Sequence, residues 1–140
     1  MVTAFLIPGK PQGKARPRFN TVTKAVHTPR STRQYEESVR YSYISATDAD
    51  NRFHQGAVRV EIDAVFPIQK SWNKEKTRKA KAGEIVPETK PDTDNIAKAV
   101  LDALNGLAYK DDSQVVDLSV CKRYGEIGHV YVRIMDMEDL

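Results

Sequence analysis

The sequence predicts a single α+β domain, with helices packed on a mixed or antiparallel sheet. Three observations predict it. Segments at Ala57–Phe66, Gln114–Tyr124 and His129–Met135 alternate apolar and polar residues at the period of a strand. Two other segments, Ser31–Ala46 and Asp94–Asn105, repeat apolar residues every three or four positions, as a helix with one buried face does. No internal repeat, linker or low-complexity stretch divides residues 1–140, so one domain accounts for the whole sequence.

The elements follow in order. Val2–Ile7 reads as a short strand. Pro8 to Arg18 is an arm rich in Pro, Gly and bases, unsuited to helix or sheet interior. Phe19–Val26 is read as a second strand or a hairpin. Pro29 and Ser31 open a helix, with Ser31 and Gln34 spaced as a capping box, and Tyr35, Val39, Tyr43 and Ala46 mark its apolar face. In the Ala57–Phe66 strand, Val58, Val60, Ile62, Ala64 and Phe66 face one way and Arg59, Glu61 and Asp63 the other. Ser71 is expected to cap a short basic helix ending at Gly83, and a loop leads on to Pro91. The next helix begins at or beside Asp94 and runs to Asn105, where Gly106 stops it; Ile96, Ala97, Val100, Leu101 and Leu104 form its apolar face. The last two strands are expected to form a terminal hairpin turning at Gly125–Gly128.

Composition narrows the function. An apolar fraction of 40% is that of a globular protein, and no apolar run approaches the roughly 20 residues that span a bilayer. Val2–Ile7 is too short for a signal-peptide core and has no basic region before it, so the expected location is the cytoplasm. Cys121 is the only cysteine; it permits neither an internal disulfide nor a thiolate zinc site and is read as a small apolar residue in a strand. His27, His54 and His129 lack ligand spacing.

The net charge of +3 is unevenly spread. Residues 1–33 contain no Asp or Glu but include Lys10, Lys14, Arg16, Arg18, Lys24, Arg30 and Arg33. A second basic run comprises Lys70, Lys74, Lys76, Arg78, Lys79 and Lys81, whereas acids outnumber bases from 91 onward. Two basic zones flanking an acidic cluster suit a protein that grips a polyanion and sets a metal against it. A solvated lysine-rich helix is the plainer explanation of the second run alone. Trp72, at the start of that run, is read as a packing anchor in preference to a stacking surface.

The acidic cluster has two parts. Asp92 and Asp94 stand two apart at a helix entrance, and an extended chain there would point both carboxylates one way. Lys98 lies one turn beyond Asp94, and Asp102 continues that polar face. The second part is Asp111-Asp112-Ser113-Gln114-Val115, after the helix. Phosphodiester hydrolysis needs an activated water, in-line geometry and charge relief on the phosphate, all of which carboxylate-bound Mg²⁺ supplies. The structural alternatives are an N-cap role for Asp94 and a turn role for Asp111–Ser113. A calcium loop counted from Asp92 is excluded: its Gly and Glu positions hold Ala97 and Ala103.

The run Asp92-Thr93-Asp94-Asn95-Ile96-Ala97-Lys98, continuing to Asp102-Ala103-Leu104, resembles the central motif of the RusA-type Holliday-junction resolvases. Asp111-Asp112-Ser113-Gln114-Val115 is similar to that family's Asp-Asp-x-Gln-Val, and the spacing of the two blocks fits. The arm Gly13–Arg18 and the segment Ser71–Gly83 resemble phage and prophage members. The resemblance implies an Mg²⁺-dependent endonuclease, with Mn²⁺ able to substitute, that nicks four-way DNA junctions symmetrically as a homodimer in recombination and repair. It implies catalytic roles for Asp92, Asp94, Asp112 and Lys98, and metal ligation by Asp92, Asp94 and Asp112, with Asp111 as a further ligand. Lys14, Arg16, Arg18, Lys74, Lys76, Arg78 and Lys79 are the expected DNA contacts. The competing readings are a nuclease for flaps or other branched nucleic acid, a DNA-binding module that does not cut, and a nucleotide-dependent transferase with an Asp-x-Asp metal site. The transferase reading is weakened by the short chain and by the lack of a nucleotide fingerprint.

Overall fold

A computed structural model describes residues 1–15, 18–19, 21–23, 25–27 and 29–140, with the side chains of 18, 19, 26 and 27 outside that description. Its elements are β1 (Val2–Pro8), β2 (Arg18–Phe19), β3 (Val26–His27), α1 (Arg30–Ala46), β4 (Val58–Pro67), α2 (Lys74–Lys81), α3 (Thr93–Ala103), β5 (Val115–Gly125) and β6 (His129–Asp136). Short 3-10 turns lie at Ala49–Asn51, Asp112–Gln114 and Met137–Asp139.

The main sheet is mixed, with strand order β1-β6-β4-β5, and β2 and β3 form a separate two-stranded ribbon. β6 runs antiparallel to both β1 and β4, while β4 and β5 are parallel. The expected terminal hairpin is therefore corrected: β5 and β6 lie on opposite sides of β4. Alternation fixes which face a residue occupies, but not which strand lies beside it. A parallel β4–β5 pair needs a long crossover, and α2 and α3 supply it. The connection between β5 and β6 passes over the end of β4, where Ile68 N donates to Gly125 O at 2.9 Å. A Cβ on Gly128 would come within 3.1 Å of both Lys10 Cα and Pro67 Cδ, so only glycine fits without displacement there.

The core lies between one sheet face and the helices α1 and α3. Phe5, Ile7, Val60, Ile62, Phe66, Val130, Val132 and Ile134 are buried against Tyr35, Val39 and Tyr43 of α1 and Ile96, Val100 and Leu101 of α3. Each such side chain contributes about 1.5–3 kcal/mol by leaving water. The other sheet face carries crossed ion pairs: Arg59–Asp117 at 2.8 Å, Arg133–Glu61 at 3.0 Å and Arg123–Asp63 at 3.0 Å. These pairs are solvated, so each contributes at most about 1 kcal/mol. Cys121 lies in β5 as expected but is exposed, not packed as a small hydrophobe.

Two expected caps are corrected. Pro29 occupies the N-cap of α1, which places Ser31 inside the first turn, where it forms no capping box with Gln34. Asn73 caps α2, its Oδ1 accepting from Lys76 N at 2.8 Å, so Ser71 lies outside the helix. α3 ends at Ala103, two residues before the expected Asn105. Its last carbonyls are taken from outside: the Tyr109 hydroxyl donates to Leu101 O at 2.8 Å and Arg40 donates to Ala103 O at 2.9 Å. Gly106, at φ +78°, then turns the chain.

One polar network is sealed inside. His54 is 1% exposed; its Nδ1 lies 2.5 Å from Asp136 Oδ1 and its Nε2 2.8 Å from Thr3 Oγ1. The Tyr43 hydroxyl lies 3.3 Å from Thr3 Oγ1. Partial burial pushes the Asp136 carboxyl up, but its bonds to the His54 ring and the terminal amine outweigh this and leave it below the ordinary carboxylate range.

Candidate active site

The entrance of α3 places the first two acids. Asp92 is the N-cap, in extended conformation, and its carbonyl accepts from Ile96 N at 3.0 Å. Its side chain makes no capping bond, so the carboxylate remains exposed and unspent. Asp94 lies within the first turn, also exposed, and thus does not serve as the N-cap. The helix dipole favours both negative charges there. The chain is extended only at Asp92, since Thr93 is already helical. Lys98 is exposed one turn further along and makes no ion pair among the described residues.

The second acid pair divides its labour. Asp111 caps the 3-10 turn: its Oδ2 accepts from Ser113 N at 3.0 Å, and Gln114 completes a capping box. Those Ser113 bonds hold the Asp111 carboxyl below its usual range. Gln114 Nε2 also donates to His54 O at 2.9 Å and Gly56 O at 3.0 Å, tying the turn to the segment before β4. Asp112 is free of capping, half-buried, and in side-chain contact with Asp102. Burial, the bond to Asp102 and the charges of Asp111 and Asp102 all push the Asp112 carboxyl up. Two carboxyls in contact call for a shared proton or a cation. Sequence alone places Asp102 on the right helix face but not in the acidic group.

Lys14 reaches this pair from the arm. Its Nζ lies 2.8 Å from Asp102 Oδ2 and 3.3 Å from Glu36 Oε1. The Glu36 contact is the longer of the two, so Asp102 is the stronger tie. Burial pulls the Lys14 ammonium down, but its bonds to Asp102 and Glu36 more than offset this and hold it above its ordinary value. The arm is fixed along its backbone too, by Lys14 N to Asn95 O at 3.3 Å and Ala15 N to Thr32 Oγ1 at 3.2 Å. Between arm and helix entrance lies an open cleft of about 530 Å³, bordered by Lys10, Lys90, Asp92 and Asn95.

The remaining expected DNA contacts differ in availability. Lys74 and Lys76 are exposed on α2, with Lys76 Nζ 4.1 Å from the centre of the Trp72 ring. Arg78 is exposed but paired with Glu75 at 2.8 Å and Glu84 at 3.3 Å, and Lys79 is half-buried. Trp72 packs edge-on to Tyr124 at 5.0 Å, which makes it the anchor of α2 on β5. Arg16 and the side chain of Arg18 lie outside the described residues.

Among the described residues, no three acid, His or Cys side chains converge closely enough to hold a metal unaided. That arrangement still fits Mg²⁺, which keeps several waters and is held by one or two carboxylates plus substrate phosphate. The donors here are hard oxygens, as that ion requires.

The acids thus fall in two places, Asp92 and Asp94 at the entrance of α3 and Asp112 against Asp102 further along the same helix. The chain corresponds to the model of endodeoxyribonuclease RusA over residues 8–135. It is also 37% identical over 137 residues to YqaN, an uncharacterized protein of Bacillus subtilis (strain 168), the match covering 95% of each chain. The chain belongs to the RusA endodeoxyribonuclease family.

Proposed function

We propose that this protein is a divalent-metal-dependent endonuclease that resolves four-way DNA junctions by paired, symmetric nicks, acting as a homodimer in the cytoplasm during recombination and repair. The observation that carries the reading is the set of carboxylates left unspent by the fold: Asp92 makes no cap, Asp94 is exposed, and Asp112 faces another acid instead of a base. Asp92, Asp94 and Asp112 are the ligand candidates for Mg²⁺, or Mn²⁺ in its place, one or two of them binding it while water and substrate phosphate complete its shell. Asp111 is a weaker ligand candidate because its carboxylate is committed to the turn. A bound divalent ion supplies an activated water and charge relief on the phosphate.

The protein's own groups do the rest. Lys98, one turn from Asp94 and free of ion pairs among the described residues, steadies the scissile phosphate. Lys74, Lys76 and Lys79, with Arg16 and Arg18 of the arm, contact the DNA backbone and fix its register. A junction presents two equivalent strands about an approximate two-fold axis, which a symmetric dimer matches with two acid clusters.

The test is cleavage of four-way, flap, single-stranded and duplex DNA, with Mg²⁺ supplied or chelated. Symmetric nicks in the four-way substrate, dependent on Mg²⁺, are expected. Preferential cutting of flaps would move the substrate to another branched form. Binding without any cutting in Mg²⁺ would reduce the protein to a DNA-binding module.

A further inference from the structure

Charge counting makes Lys14 a DNA contact, but its surroundings do not. The side chain is 22% exposed, with its ammonium 2.8 Å from Asp102 and 3.3 Å from Glu36. Its backbone N–H is bound to Asn95 O on the first turn of α3, so the residue is held at both ends. A phosphate could reach the ammonium only by displacing two carboxylates, one of them in a short charge-assisted bond. Asp102 bonds Lys14 at 2.8 Å and is also the side-chain partner of Asp112. Two acids side by side repel, and an ammonium bonded to one of them offsets that repulsion and holds that acid in place.

We propose that Lys14 is a positioning residue: clamped between Asp102 and Glu36, it holds the Asp102 carboxylate against Asp112 and so sets Asp112 for the divalent ion, without touching DNA. This rests on the nuclease reading above. In this arrangement α1 supplies Glu36, α3 supplies Asp102, the turn before β5 supplies Asp112, and the arm supplies the base that ties them. A supporting group of this kind acts on the geometry of a ligand and not on the charge seen by the substrate.

The test uses the full chain with Lys14→Met and Lys14→Arg. Three quantities are measured: junction affinity against salt in chelator, single-turnover cleavage in saturating Mg²⁺, and Mg²⁺ binding to the protein alone by calorimetry. Lys14→Met is expected to leave the salt slope unchanged and to weaken Mg²⁺ binding or cleavage about 10–100-fold, as removal of a group supporting a metal ligand does. Lys14→Arg should recover most of the loss, since it keeps the charge. Asp102→Asn, which keeps the local shape and so guards against a folding defect, should reproduce the Lys14→Met loss. The double variant should be no worse than either single change.

A slope lowered by about one unit with an unchanged single-turnover rate would make Lys14 an ordinary phosphate contact and overturn the proposal. Additive losses in the double variant would overturn it as well. Wild-type protein that binds Mg²⁺ but cuts no branched DNA would sink the nuclease reading alone, because the calorimetric comparison still decides the role of Lys14. Wild-type protein that binds no Mg²⁺ would sink both.

Discussion

Gly13 and Asn95 are pressed so closely together that a Cβ on the glycine would stand 2.4 Å from Asn95 Nδ2 and 2.9 Å from its Cγ. Pro91 Cβ closes the other side at 3.0 Å. Gly13→Ala therefore forces the arm off α3 or displaces Asn95 beside Asp94. Overpacking of this kind costs about 1–3 kcal/mol. Thermal unfolding should show a clearly lower midpoint; an unchanged midpoint would mean that the arm yields freely.

Asp94→Asn is expected to abolish cleavage while leaving junction binding largely intact. The change keeps the side-chain shape but removes the charge of a proposed metal ligand, and on the same proposal binding rests on the basic surfaces. Mixed dimers of tagged Asp94→Asn chains with wild-type chains should nick one strand and rarely resolve the junction. Full cleavage by the purified mutant, or full resolution by a monomer in sedimentation, would refute the site or the dimer respectively.

Lys98→Ala should lower the single-turnover rate more than the affinity. Lys98 is one base among many electrostatically, but it stands one turn from Asp94 with no ion pair among the described residues. The opposite pattern, weaker binding at an unchanged rate, would reduce it to a phosphate contact.

On α2 the bases should not count equally. Lys74→Gln and Lys76→Gln should each flatten the dependence of log affinity on log salt, by about 0.9 for every phosphate the side chain neutralises. Arg78→Gln should change it less, because Glu75 and Glu84 already pair the guanidinium. Equal changes from all three would show that DNA strips Arg78 from its glutamates.

Asp136 sets an acid limit on the fold. Its carboxyl lies below the ordinary range in the folded protein, so its contribution is present above the unfolded carboxylate value and is lost as pH falls through the folded one. Asp136→Asn should therefore lower the urea midpoint at neutral pH, and the gap to wild type should close in acid. A gap that stays constant down to about pH 2 would assign the loss to packing instead of charge.

How far the sequence could be read depended on whether the decisive partner was near or far along the chain. The periodicity of β4 and the apolar faces of α1 and α3 are local, and the structure follows them at Val60, Ile62, Tyr35, Val39 and Val100. The neighbours of β4 are not local, and two alternating segments joined by a short glycine-bounded turn resemble a hairpin even when another strand lies between them. Asp92, Asp94 and Asp112 could be singled out as candidates from their type and spacing alone. The pairing of Asp102 with Lys14 was not legible, since one reads only as a continuation of the polar face of the helix and the other as a DNA contact until the bond across 88 positions is seen. Ser31 and Ser71 show a smaller error: a good capping residue lies near each helix start, but Pro29 and Asn73 hold the position.

The placement of β4 between β6 and β5 also constrains when the domain can form during synthesis. Both neighbours of β4, one of which also pairs with β1, are translated only after residue 114. Until then β1 and β4 have exposed backbone edges, and only the helices and the short β2–β3 ribbon can acquire structure locally. Closing the sheet brings together segments widely separated along the chain, which slows folding through the entropy of those large loops. The turn that carries Asp112 is thus fixed late, since it gains its framework only when β5 docks on β4.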